Sequence, residues 1–262
     1  MVAEARRSLK PIAVEDGRAS GHHAVMPILT LPDSLALAWF LGAWIVYSLV
    51  IEKTAKGRSS LNARMNHYRD EWMEQLLGRD MRMVDAQVTA ALQNGTAFFA
   101  STSLIAIGGT LTLLRSGDEI LTVVSLLPFG TATSRALWEM KMLGLAVIFV
   151  YAFFKFAWSY RLFNYFAIMV GAAPPPEEKN TAAAQAFAHR ASRLCADAGR
   201  HFNRGQRAFF FALGYLGWFL GPVPLALTTT GILIVMWRRQ FASESRMAFE
   251  AGAAAPKKRA RK

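Results

Sequence analysis

The chain of 262 residues is both apolar and basic: 53% of its residues are hydrophobic, only 18% are charged, and the formal net charge is +12. Soluble domains carry roughly 25% charged residues, so this composition favours a membrane protein. The high apolar content also excludes global disorder. The single cysteine, Cys195, excludes an intramolecular disulfide, a Cys-based zinc site and a Cys-ligated iron–sulfur cluster.

Four regions are apolar enough to be membrane segments, because a crossing helix needs about 20 predominantly apolar residues. The first three fit single helices over residues 34–51, 95–114 and 142–160. The third contains one charge, Lys155. Because Lys155 lies about two helical turns from Arg161, its long side chain can extend the ammonium group to the interface.

The fourth region, residues 208–237, is longer than a single crossing requires. Thirty residues of straight helix would measure about 45 Å. The sequence Gly221-Pro222-Val223-Pro224 interrupts the region at its centre. Since proline lacks a backbone donor and clashes with the preceding turn, the helix must kink or reverse at this point.

The distribution of Lys and Arg favours reversal, because these residues are enriched on the cytoplasmic side of membrane proteins. If the fourth region crosses once, the loops and tails place fourteen positive residues on each side; if it forms a hairpin, they place 22 inside and six outside. We therefore predict five crossings, with the N-terminus outside and the C-terminus inside. A helical domain over residues 31–241 would lie between disordered tails at 1–30 and 242–262.

Two amphipathic helices are predicted between the spans, both on the cytoplasmic side. A further helix is predicted to start near Asp80 and to continue into the second span. The stretch 120–129 is predicted to be interfacial or re-entrant, because it is apolar but too short to span. The apolar stripes of the two amphipathic helices are Leu61, Met65, Tyr68, Trp72 and Leu76 in the first, and Phe187, Ala191, Leu194, Ala198 and Phe202 in the second.

Five stretches of sequence occur in a distinctive order. They are Asn94-Gly95-Thr96-Ala97-Phe98-Phe99, Ser134-Arg135-Ala136-Leu137-Trp138-Glu139, Tyr151-Ala152-Phe153-Phe154-Lys155-Phe156, His201-Phe202-Asn203-Arg204-Gly205 and Tyr215-Leu216-Gly217-Trp218-Phe219. Together they resemble the membrane-protein family known as domain of unknown function 599, over roughly residues 31–241. The resemblance implies a bacterial, multi-pass inner-membrane protein. It implies no activity, because the family has no established one.

The usual signatures of catalysis and cofactor binding are absent from the sequence. It contains no P-loop, no dinucleotide-binding glycine motif and no nucleophile elbow. None of the five histidines lies within an apolar run or at a metal-binding spacing, so we expect no haem, metal or other cofactor. In so apolar a chain the basic residues favour lipid headgroups over nucleic acid.

Three polar or small-residue groups are candidate sites. Arg135 and Glu139 have the i, i+4 spacing of an ion pair at the outer end of the third span, with a gate or outer binding site as the alternative. A second group on the cytoplasmic side could bind an anionic headgroup or solute, or could simply hold helix ends at the interface. Its members are Lys155, Arg161, Asn164, His201, Asn203 and Arg204.

The third group consists of small residues in the second span and the hairpin, which would let these helices approach closely. Its members are Gly108, Gly109, Gly217 and Gly221. A polar path for a solute is the alternative interpretation.

The sequence thus predicts an all-α, polytopic membrane protein and favours a non-enzymatic role, without deciding whether the protein is an enzyme. Its basic cytoplasmic face would bind anionic lipid headgroups, a protein partner or a second copy of the chain. A small transporter or channel is the alternative, since interrupted helices often mark transport sites. A lipid-acting membrane enzyme is a third possibility, which rests on the cytoplasmic group alone because no carboxylate pair or nucleophile–base spacing supports it.

Overall fold

The computed structural model describes residues 29–54, 57, 60–117, 119, 122 and 134–241. These residues form helices joined by short connections, and they contain no strand. The predicted tails, apart from residues 29 and 30, lie outside the described residues. So does nearly all of the predicted re-entrant stretch 120–129.

Three of the described helices are long and apolar enough to cross a membrane. They are α1 (Leu31–Lys53), α3 (Met83–Arg115) and α4 (Arg135–Gly171), and α2 (Leu61–Leu76) lies between the first two. The 37 residues of α4 measure about 55 Å, so this helix extends well beyond the hydrocarbon layer. The predicted all-α, polytopic membrane fold is confirmed.

Hydroxyl side chains define where several helices begin. The N-cap residues Thr30, Ser60 and Ser134 accept hydrogen bonds from backbone amides of the first turns of α1, α2 and α4. Thr181 does the same for α5, which covers Ala182–Tyr215. These caps satisfy amide donors that would otherwise lack partners.

The fourth apolar region is a hairpin. After α5, a 3-10 turn (Leu216–Leu220) leads to Gly221, whose φ of 132° suits glycine, and α6 (Pro222–Phe241) then returns along α5. Thr228 Oγ1 donates to the carbonyl of Gly214 at 2.6 Å across the hairpin. Because α5 is continuous, the second predicted amphipathic helix and the first arm of the hairpin are one helix.

The helix directions define two ends of the bundle. The apex end holds the start of α1, the end of α3, the start of α4 and the turn at Gly221. The basic end holds the opposite helix ends together with α2. Within the described residues the chain passes between these ends five times, so the start of α1 and the end of α6 lie at opposite ends.

Two apolar cores hold the helices together. The larger core lies among α1, α4, α5 and α6 and contains Phe40, Phe156, Phe211 and Trp218. The smaller core lies at the basic end, where Met73 of α2 packs with residues of α4 and α5. The amphipathic helices therefore pack on the bundle.

Some predicted details of these helices were wrong. In α2, Met65 and Tyr68 are exposed whereas Met73 is fully buried, because only the C-terminal half of the helix enters the smaller core. The next helix begins at Met83 rather than near Asp80. Arg82 precedes it and donates to the carbonyl of Ala173 at 2.7 Å, which joins the start of α3 to the end of α4.

Candidate functional site

The basic end contains an ion cluster built around Glu52, the penultimate residue of α1. Arg204 donates to both carboxylate oxygens, with Nε 2.9 Å from Oε1 and Nη2 2.5 Å from Oε2. Arg207 also contacts the Glu52 carboxylate. Bidentate pairing of this kind fixes geometry as well as charge. Since two guanidinium groups share one carboxylate, the group keeps a net positive charge.

Two further predicted residues approach this group from α4 and α5. Lys155 Nζ lies 5.1 Å from the centroid of the Tyr151 ring, and among the described residues it has no carboxylate partner. The imidazole of His201 meets the edge of Trp158, with 6.4 Å between ring centroids. We call the set Glu52, Lys155, His201, Arg204 and Arg207 the basic cluster.

The environment of His201 favours its neutral form. Burial lowers the pKa of His201, and the nearby charges of Lys155, Arg204 and Arg200 lower it further. Its Nδ1 atom is buried and finds no hydrogen-bond partner among the described residues. The positive charge of the basic cluster therefore comes from Lys155 and the arginines.

Two residues predicted for the anion site lie apart from the basic cluster. Arg161 Nε donates to the hydroxyl of Tyr165 at 2.7 Å. Asn164 Oδ1 accepts a hydrogen bond from Gln93 Nε2 at 2.6 Å, which joins α4 to α3. Nine residues separate Asn164 from Lys155, so the two occupy opposite faces of α4.

A polar cavity of about 490 Å³ adjoins the basic cluster. It opens between the end of α1, the start of α2 and the middle of α5, and Asn203, the remaining predicted residue, lies on its wall. Other polar lining residues are Glu52, Asn62, Asn66, Arg200 and Arg204. The structure therefore brings Lys155, His201, Asn203 and Arg204 to one region and adds Glu52 and Arg207, which sequence reasoning had not selected.

An apolar cleft of about 600 Å³ lies on the side of the bundle between α1 and α4. Trp44 and Tyr151 approach each other from these two helices, with 5.8 Å between ring centroids. Tyr215 and Trp218 contribute to the lining from α5 and the turn that follows it. Gly144 lacks a side chain where the ring of Tyr215 packs, since a Cβ atom there would lie only 2.9 Å from Tyr215 Cζ.

The apex end contains a buried polar network that the sequence analysis missed. Asp33 is 5% exposed and Lys141 is 2% exposed. Trp218 joins them, because its indole Nε1 donates to Asp33 Oδ1 and its carbonyl accepts from Lys141 Nζ, each at 2.8 Å. Thr30 Oγ1 donates to the second carboxylate oxygen of Asp33 at 2.5 Å.

A sequence signal for this network existed. Asp33 and Lys141 have opposite charges and border two apolar regions at the same predicted membrane face. Charged residues at the edge of a span are usually solvated, so their positions alone did not distinguish a buried network from simple boundaries.

The ion pair that the sequence predicted at the outer end of α4 is exposed. Arg135 Nε lies 2.9 Å from Glu139 Oε1 within the first turns of α4, and both side chains are well exposed. Exposed i, i+4 pairs contribute only about 0.3–0.5 kcal/mol. The geometry is that of a surface pair.

The predicted packing glycines differ in their surroundings. A Cβ atom at Gly217 would lie 2.8 Å from the carbonyl oxygen of Pro224, so this glycine permits the close contact within the hairpin. Gly221 provides the turn itself. At Gly108 and Gly109 a Cβ atom would meet none of the described atoms within 4 Å. The expected close packing of these two glycines against the hairpin is therefore not found among the residues that the structure describes, because α3 packs mainly along α4.

An acidic cavity of about 520 Å³ lies between α2 and α5. Its lining includes His67, Asp70, Glu71, Glu74 and His189. No group of three or more His, Cys, Asp or Glu side chains in the described ranges is arranged to hold a metal ion.

The long apolar helices, the hairpin and the polar networks at both ends define a polytopic α-helical membrane protein. The family described as "Protein of unknown function, DUF599" matches residues 35–245, and the chain belongs to this family. The resemblance noted in the sequence is thereby confirmed. Comparisons with curated proteins and with solved structures find no match.

Proposed function

We propose that this protein is a non-enzymatic component of the bacterial inner membrane whose basic end faces the cytoplasm and binds anionic lipid headgroups. The observation that carries the proposal is the basic cluster, in which Arg204 and Arg207 share Glu52 and Lys155 has no carboxylate partner among the described residues. A phosphodiester group would supply the missing negative charge. Anionic lipids attract Lys and Arg at the membrane surface by about 1 kcal/mol per residue.

The orientation follows from the hairpin and the positive-inside rule. With α6 returning to the basic end, Arg238 and Arg239 lie at the same end as Arg204 and Arg207. A reporter that is active only in the cytoplasm, fused after Lys262, should be active. A periplasm-dependent reporter at the same position should be silent, and its activity there would contradict the proposed orientation.

Headgroup binding can be measured on the full-length protein in mild detergent. Native mass spectrometry would compare retention of phosphatidylglycerol with that of phosphatidylcholine carrying the same acyl chains. We expect wild-type protein to retain phosphatidylglycerol in preference to phosphatidylcholine. In Lys155→Ala this preference should be about tenfold smaller, because one charge-assisted contact is lost.

Lys179→Ala is the matched control, because it removes the same charge from the connection between α4 and α5. It should retain the wild-type preference. Equal retention of the two lipids by the wild-type protein would refute headgroup binding.

The hairpin turn and the basic cluster favour neither transport nor catalysis. The break at Gly221 forms the turn between α5 and α6, so it does not provide an unwound segment within a crossing helix. In the basic cluster the one carboxylate is held by two guanidinium groups, an arrangement that suits binding of an anion better than acid–base chemistry.

A further inference from the structure

The basic cluster lies about one helical turn beyond one end of the apolar cleft. Ser48 of α1 and Tyr151 of α4 line the cleft. One helical turn further along the same faces, α1 presents Glu52 and α4 presents Lys155. Tyr151 lies within electrostatic range of Arg204. An amphiphile lying along the cleft would therefore place its polar end at the cluster.

The cleft has the dimensions and chemistry of a site for a hydrocarbon chain. Its volume of about 600 Å³ falls within the usual range of ligand sites. Its lining is almost wholly apolar and aromatic. Its walls, α1 and α4, are both helices that can cross a membrane, and the rim residues Ile45 and Val147 are 59% and 66% exposed. The cleft therefore opens sideways, toward the bilayer.

The geometry points to an anionic glycerophospholipid as the occupant, with one acyl chain in the cleft between α1 and α4 and its phosphate at the basic cluster. The charge of the cluster selects a phosphate that lacks a balancing cation, and the cleft selects a molecule with a long apolar chain. A free anion would use only the first feature. A lipid of net zero charge would use only the second.

The two features differ in what they supply. Lipid tails are as apolar as the cleft, so burial of the chain from the bilayer gains packing rather than hydrophobic free energy. The phosphate then provides selectivity among lipids, and the cleft holds the selected molecule at a fixed position. This inference rests on the proposed headgroup binding and adds a defined binding site for the acyl chain of the lipid.

The test uses full-length protein in mild detergent, titrated with dioleoyl-phosphatidylglycerol and followed by native mass spectrometry. Val147→Trp places a large side chain over the mouth of the cleft. Ile105→Trp is the matched control, since Ile105 is 75% exposed on α3, away from the cleft. We expect Val147→Trp to weaken lipid binding about tenfold and Ile105→Trp to leave it unchanged.

Two further comparisons distinguish failure of the acyl-chain site from failure of headgroup binding. Glycerol 1-phosphate, which has the phosphate without the chains, should compete poorly with the lipid. If glycerol 1-phosphate competes as well as the lipid, the acyl-chain site in the cleft is refuted and headgroup binding stands. The same conclusion follows if Val147→Trp binds the lipid like wild type while Lys155→Ala does not. If wild-type protein does not distinguish phosphatidylglycerol from phosphatidylcholine, both proposals fail. A thermal melt of each variant identifies any loss caused by misfolding, and Leu41→Trp, at another cleft-lining position, then replaces a misfolded Val147→Trp.

Discussion

The indole of Trp218 donates to the carboxylate of Asp33 across 2.8 Å, although the two residues are 185 positions apart in the chain. The carbonyl of the same Trp218 accepts from the ammonium of Lys141. One residue of the hairpin turn thus mediates between opposite charges on α1 and α4. Because unpaired charges are costly when they are buried inside the protein, this network fixes the turn against the two helices.

Replacement of Trp218 by phenylalanine should destabilise the protein. Trp218→Phe keeps an aromatic ring but removes a donor from a buried carboxylate, which costs about 1–3 kcal/mol. Trp39→Phe is the control, because Trp39 donates to Thr230 at an exposed position and should lose less. Thermal unfolding in detergent would measure both. Equal losses for the two variants would contradict the role given to Trp218.

The charges of Asp33 and Lys141 should be energetically coupled. Lys141→Met leaves the carboxylate without its nearest cation, and Asp33→Asn leaves the ammonium without its anion, so each should cost about 3–5 kcal/mol. The double variant should lose less than the sum of the two, since it retains neither buried charge. A double-mutant cycle of unfolding free energies measures this, and strict additivity would show that the network does not couple them.

Glycine substitutions should separate close packing from open surface. Gly217→Ala forces a methyl group against the backbone of Pro224, which should cost about 1–3 kcal/mol. Gly109→Ala meets none of the described atoms within 4 Å and adds helix propensity, so it should be neutral or slightly stabilising. Unfolding midpoints of the two variants provide the comparison. A stable Gly217→Ala protein would mean that the hairpin is looser than described.

These glycines also show what the sequence can predict. Length, apolar runs and the Gly-Pro interruption predicted the helices and the reversal, because those features depend on local chemistry and on the distribution of charge. The packing partner of a glycine depends on which helix lies opposite. Small residues in the second span do not indicate which helix this is. Gly108 and Gly109 were therefore placed against the hairpin incorrectly.

The candidate site was predictable to the same extent. Lys155, His201 and Arg204 were recognised as polar groups near one membrane face, which charge patterning reveals. Glu52 was not recognised, because a carboxylate directly after an apolar run is typical of a helix end. Its role depends on Arg204, 152 residues away, and this separation is bridged only in the folded chain.

Cys195 should be protected in the native protein. The thiol is fully buried in the smaller core, and burial raises its pKa to about 11, so little reactive thiolate is present at neutral pH. A maleimide should label it slowly before unfolding and rapidly during it. Because the chain has one cysteine, the labelling rate also reports the stability of the variants above. Rapid labelling of folded protein would place Cys195 at an accessible surface instead.

The stability of the protein should depend on the protonation of His201. In the native state burial and nearby cations hold the pKa of His201 below its ordinary 6.5. Between these two pKa values the unfolded chain binds more protons than the native protein, so the free energy of unfolding rises with pH. The stabilisation is fully present above pH 6.5 and is lost as the pH falls through the native pKa.

Unfolding midpoints measured between about pH 5.5 and 7.5 test this dependence. The unfolding midpoint of His201→Gln should differ less between the two pH values than the midpoint of the wild-type protein does. Lys155→Met should reduce the difference in part, because it removes one of the cations that oppose protonation of His201. If His201→Gln retains the wild-type pH dependence, the titrating group lies elsewhere. If only Lys155→Met retains it, burial and the arginines hold the pKa of His201 down without help from Lys155.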